Sequence, residues 1–358
     1  MKDLKTTNTL LLLLVIPVVF YVLKIMSFIF IPLVLSMFIS VLFLPMMRWL
    51  QKIKIPKSLR VLIVIFVVFI SLWGIIKLMI LSGSQVVEHS GAFIGKAKDQ
   101  MDSLIVSVES VLGGNISSSD ELFSQIIKKV DVASEFGPTI TYFKGTFTMI
   151  LMTAFFVVLW LAESINIQQI IKSMMTDHKY GSVKTFLEIE KNLITFVRVK
   201  VVVSLLIGVS TGLVCYFFGL SFPVFWGLFA LFAVYVQLIG PLLQIVLMTL
   251  FALVEFDLSS HFIFFMIAII SIHVLIGSVL EPIFMGKSFS INVITILIML
   301  MLWGYIWGIP GMILSIPITV FIKIVLEQFP STQGLAILMS GNENIEEVIA
   351  NKKDHLDG

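Results

Sequence analysis

Val61-Leu-Ile-Val-Ile-Phe-Val-Val-Phe-Ile70 is an unbroken run of apolar side chains. A membrane-spanning β-strand alternates apolar and polar residues, because successive side chains face lipid and lumen in turn. Here both parities are apolar, so the run cannot belong to a barrel. Ile294–Trp303 is likewise apolar almost throughout. Stretches near the length needed to cross about 30 Å of hydrocarbon recur along most of the chain. An all-α, polytopic membrane protein is the fold class this pattern defines.

Composition agrees. Of 358 residues, 58% are hydrophobic and only 13% charged, and the mean hydropathy is +1.07. A soluble domain carries about a quarter charged residues. The net charge of +2 is ordinary, and basic residues fall in short loops rather than on one soluble face, so no nucleic-acid partner is expected. Cys215 is the single cysteine and permits no intrachain disulfide. The first apolar run follows Lys2 and Lys5 and lacks a small-residue cleavage site, so it reads as a retained helix rather than a signal peptide.

Charge sets the expected topology. Thr9–Leu23 and Ile25–Met47 are apolar segments parted by Lys24, with Pro17 and Pro32 expected to kink or break them. Between Arg48 and Arg60 lie five basic residues and no acid, which marks a cytoplasmic loop. A third span, about Val61–Leu81, completes an N-terminal group over residues 1–81. Residues 82–140 differ: apolar positions recur at threes and fours from Val86 to Leu112, and again from Leu122 to Val130 beyond Gly113-Gly114. This is the spacing of amphipathic helices. Acids outnumber bases there, so the segment is expected outside, on the face away from the cytoplasm.

A fourth span is expected over 141–162 and cytoplasmic amphipathic helices over 163–200, which hold Lys172, Lys179, Lys184, Lys191, Arg198 and Lys200. Residues 201–328 form the C-terminal membrane core, and 329–358 a cytoplasmic tail. Within the core, 222–255 is too long for one ordinary span and is interrupted by Gln237-Leu-Ile-Gly-Pro241. Two half-helices in a re-entrant hairpin fit it better. That choice also keeps Lys287, Lys352 and Lys353 on the cytoplasmic side. About eight transmembrane helices result, with both termini in the cytoplasm.

Few ionisable residues interrupt the core, and those that do are candidates for function. Glu281-Pro282 sets an acid beside a residue that breaks the backbone ladder. His273 precedes Glu281 by eight residues, which on an α-helix brings both to roughly one face; it is either a proton-relay partner or a histidine bonded within the bundle. Gln237, beside Gly240 and Pro241, offers an amide to a polar solute or to freed backbone groups, as does Gln244. Glu255, Asp257 and His261 read as solvated loop charges, and Arg198 and Lys200 as topology anchors. Gly208 with Gly212, and Gly304 with Gly308, have the four-residue spacing that lets helices pack closely in lipid. Metal-protease, nucleophile-elbow and phosphate-loop motifs are absent from the sequence, so no enzyme, cofactor or metal site is expected.

One stretch carries a family resemblance: Leu280-Glu-Pro-Ile-Phe-Met-Gly-Lys-Ser288, then Asn292-Val293, then Trp307-Gly-Ile-Pro-Gly-Met-Ile-Leu-Ser-Ile-Pro317. It resembles the Glu-Pro…Met-Gly block and terminal Gly-x-x-Gly…Pro helix of the autoinducer-2 exporter family of bacterial permeases. Ser204–Gly208, Phe225-Trp-Gly227 and Ile239-Gly240 follow in the same order. The family's Asn-x-x-Pro-x-Ile-Gly stretch is matched here by Val234-Tyr-Val-Gln-Leu-Ile-Gly240, with Val234 and Gln237 in place of the Asn and the Pro. What the resemblance implies is a secondary transporter of the bacterial inner membrane, assembled as a homo-oligomer, with a pentamer among the counts open to it.

Three functions remain open at this point. The first is an exporter of a small polar solute such as autoinducer-2, with Glu281, Pro282, His273, Gln237, Gly240, Pro241 and Asn292 along its pathway. The second is a sodium or lithium/proton antiporter in which Glu281 alternately holds a proton and a metal cation. The third is an oligomeric scaffold in the lipid bilayer that transports nothing.

Overall fold

The computed structural model describes residues 2–112, 148–163, 180–256, 259–285, 291–327 and 332–340. The second helix expected in the outer insert, most of the expected cytoplasmic helices up to Lys179, Asp257, Lys287 and the tail from Gly341 lie outside them. The described residues are helical and include no β-strand, only an isolated bridge between Ile291 and Ser340.

Among the described residues, six helices are long and apolar enough to cross a membrane. Helices α1 (Lys2–Ile25) and α2 (Ser27–Lys52) meet at Met26. Pro17 and Pro32, expected to kink or break them, interrupt neither helix. In apolar surroundings the rest of the ladder has no water to turn to, so a helix keeps its form around one missing bond. Helix α3 (Lys57–Leu112) carries straight on from the third span into the amphipathic arm without a break. Helix α4 (Thr148–Glu163) joins α2 and α3 through Met47, Val64, Val157 and Leu161.

The C-terminal core is built on α5 (Tyr180–Phe218). Phe222, at a positive φ of 63°, turns the chain into α6 (Pro223–Ala233), with Pro223 in its first turn, where no N–H is needed. After a tight reversal over Val234–Leu238, α7 (Ile239–Phe256) runs back. Its last turn returns to where α6 began: Glu255 accepts from the Ser221 amide at 2.9 Å and from its hydroxyl at 2.5 Å. Helices α6 and α7 are therefore an antiparallel hairpin with a tied base. At 11 residues α6 is only about 16 Å long, about half of what a bilayer crossing needs.

Helix α8 (Ser260–Met285) runs antiparallel to α5. Near its start His261 Nε2 lies 3.0 Å from the Phe218 carbonyl, and near its end Glu281 meets Lys200. Helices α9 (Val293–Trp307) and α10 (Ile309–Glu327) form the last hairpin, turned at Gly308 with φ 64°. The short α11 (Gln333–Met339) follows. Trp307 donates to the Leu23 carbonyl at 3.0 Å, which fastens α1 to α9. The main core joins Phe38 of α2, Phe196 of α5, Trp303 of α9 and Ile316 of α10. Outward faces stay apolar: on α3, Leu62, Phe66, Phe69 and Trp73 are all exposed, as a lipid-facing helix requires.

Candidate transport site

Lys200 lies mid-way along α5, about 27 Å from Phe218 at 1.5 Å per residue, close to one bilayer thickness. Its Nζ donates to Glu281 Oε1 at 2.7 Å, and the two side chains are 5% and 13% exposed. Expected as a topology anchor, Lys200 is instead the buried partner of the acid at Glu281. Desolvating two charges is expensive, and only mutual attraction with good geometry offsets it.

One turn further along α5, Ser204 Oγ lies 3.3 Å from the hydroxyl of Tyr235, which stands on the reversal between α6 and α7. The hairpin tip thus reaches about 21 Å down α5 from Phe218, just above the ion pair. Val199, Val203, Ile207, Ala230 and Val234 pack around this junction, with Ile276 and Met285 of α8 against them.

Glycine sets how closely the hairpin lies on α5. A Cβ on Gly208 would fall 2.9 Å from the Gly227 carbonyl oxygen, and one on Gly212 would touch the backbone at Pro223 and Gly227. Gly240 closes the tip: a Cβ there would overlap the Ala233 carbonyl. Pro241 follows in the first turn of α7, and Gln237 sits half-buried on the reversal itself.

The eight residues His273–Leu280 form a π-helix inside α8. The Glu281 amide donates to the Ile276 carbonyl, five residues back, and the next residue, Pro282, has no N–H and would clash with a carbonyl four back. A wider turn before the proline relieves both problems, and such bulges recur at functional sites. The α-helical register expected between His273 and Glu281 is therefore replaced by a wider one. His273 is 9% exposed, and its Nε2 has no hydrogen-bond partner among the described residues. The same holds for Thr211 Oγ1 on α5 and Gln244 Oε1 on α7.

The remaining expected site residues have local duties. Asn292 caps α9, its Oδ1 accepting from the Ile294 amide at 3.0 Å, and its own amide donates to Met339 at 2.9 Å. Pro282 faces outward. Gly304 lies under Met312 of α10, whereas Gly308 makes the turn after α9 rather than a helix contact. Glu255, expected to be solvated, is 5% exposed and tied to Ser221 and Lys96; the burial follows from its place at the base of the hairpin. Lys200, Ser204 and Tyr235 were missed as site residues. The signal available for Lys200 was a cation flanked by Val199 and Val201 at the head of a long apolar run.

The helices and this buried junction define a multi-pass membrane protein with a polar centre built from broken helices. A family model described as AI-2E family transporter matches residues 10–331, and the chain belongs to that family. It is 24% identical over 343 residues to a protein of Borreliella burgdorferi named for transport without a substrate, covering 92% of this chain and 91% of the relative. YrrI of Bacillus subtilis, also named for transport, is 25% identical, with 84% and 86% covered. The AI-2 transport protein TqsA of Escherichia coli is 22% identical, with 87% and 89% covered. Transport across a bacterial membrane is thus the general function of this chain.

Proposed function

We propose that the chain exports a small polar solute through the junction of α5, α8 and the α6–α7 hairpin, with the Lys200–Glu281 pair as its gate. The hairpin is re-entrant on this reading: it enters and leaves from the Phe218 end, and its tip stops above the ion pair. The observation that carries the proposal is the buried ion pair at the end of a π-helix. A carboxylate and an ammonium held away from water can exchange each other for the polar groups of a passing solute, where an apolar contact cannot. Thr211, Gln244 and His273 add hydrogen-bonding capacity along the same three helices. Autoinducer-2, named for the TqsA relative, is the first solute to try.

Antiport is the second reading, and one feature favours it: a metal cation could displace Lys200 from Glu281 and a proton could follow. Inverted vesicles carrying the full chain separate the two. Efflux of candidate solutes, autoinducer-2 among them, is measured beside sodium- or lithium-induced collapse of an imposed proton gradient. Solute movement abolished by Glu281→Gln is the expected result. If that variant moves solute and protons as the parent does, the acid is structural and the pathway lies elsewhere.

A further inference from the structure

We propose that the cleft between the ends of α2 and α5 binds the phosphate headgroup of an anionic phospholipid. The cleft encloses about 420 Å³. One wall is the last two turns of α2, from Pro45 through Arg48 and Trp49 to Lys52; the other is α5 from Leu187 through Lys191 and Ile194 to Arg198. Spacings of three and four put each set on a single helix face.

Charge in the cleft is unbalanced. Arg48, Lys52, Lys191 and Arg198 line it with Glu190 as the only acid among the described residues. Glu190 is bonded to Arg48, which leaves three exposed cations converging on one space. Anchoring a helix end by charge alone requires no such convergence. The walls are also apolar in part: Trp49 is 59% and Leu187 42% exposed beside those cations. A soluble anion has no use for exposed apolar walls, whereas a phospholipid presents an anion and acyl chains together.

Depth points the same way. The span of α2 ends at Lys52 and that of α5 begins at Glu190, so the cleft sits where two crossings end, at the level of lipid phosphates. Tryptophan and basic side chains gather at that level, and basic pockets between spans there suit anionic headgroups.

Native mass spectrometry of the full chain in detergent tests this, with dioctanoyl phosphatidylglycerol, dioctanoyl phosphatidylcholine and inorganic phosphate as separate probes. The phosphatidylglycerol adduct is expected to outlast the phosphatidylcholine adduct. Its affinity should fall about fivefold for each charge removed on going to Lys52→Gln/Lys191→Gln/Arg198→Gln, and should survive Lys52→Arg/Lys191→Arg. Circular dichroism checks the fold of the triple variant; if it unfolds, the three single variants carry the same comparison. Equal retention of both lipids, or no loss in the neutralised variants, overturns the proposal. Phosphate competing as well as phosphatidylglycerol would assign the cleft to a soluble anion and overturn it equally.

Discussion

Lys200 and Glu281 hold opposite charges 2.7 Å apart with little exposure to water, and this makes the two residues unequal to their sum. Removing one partner strands the other in a poorly solvated place, at a cost of roughly 3–5 kcal/mol, whereas replacing both by apolar residues is often neutral. We therefore expect Lys200→Met and Glu281→Gln each to lower the unfolding transition in detergent, and Lys200→Met/Glu281→Met to recover most of the loss. Flux should be absent from all three. A double variant that is both stable and transporting would reduce the pair to a structural tie. The acid was legible as a candidate from Glu281-Pro282 alone. Its partner was not, because 81 residues separate them and no local pattern reports on a contact of that range.

At the level of elements, the π-helical stretch of α8 is the feature with the clearest chemical cause. Pro282 withholds one donor and crowds the carbonyl four residues back, and the widened turn accommodates both. Pro282→Ala returns the donor, so the stretch His273–Leu280 should relax towards α-helical geometry. Hydrogen exchange at residues 274–281 is then expected to slow, stability to hold or rise, and flux to fall as Glu281 turns away from Lys200. Unchanged exchange in that stretch would separate the π-helix from the proline. The proline was visible in the sequence; the change of helical period was not, since side-chain identities between His273 and Leu280 suit either period.

Across the whole molecule, the arm of α3 closes over the base of the hairpin. Phe93 stacks on Phe251 with ring centroids 4.1 Å apart and meets Phe222 edge-on at 6.3 Å, and Lys96 reaches Glu255 at 3.3 Å. Magnitudes rank these contacts. Lys96 is 53% exposed, so water screens its side of the ion pair and holds its contribution to about 0–1 kcal/mol, as for a surface pair, while aromatic pairs add about 0.5–1.5 kcal/mol beyond their buried area. Phe93→Ala should thus free the arm more than Lys96→Ala does, read as faster proteolysis or hydrogen exchange in α3 beyond Val86. The reverse order would mean that the ion pair to the buried Glu255 is the latch.

By itself the sequence determined the helical class, the long apolar spans, the basic loop between Arg48 and Arg60 and the interruption near Gly240-Pro241. Each of these is a local matter of hydropathy, charge or backbone chemistry, and bilayer physics acts on them segment by segment. Tertiary structure decided the rest: that Glu255 ties the base of a hairpin, that Ser204 and Tyr235 meet at its tip, and that Lys200 leaves the surface to face Glu281. Those outcomes depend on which helices lie side by side. That choice is made by close glycine contacts such as Gly208 with Gly227 and by the short length of α6, and it concerns the bundle rather than any one segment.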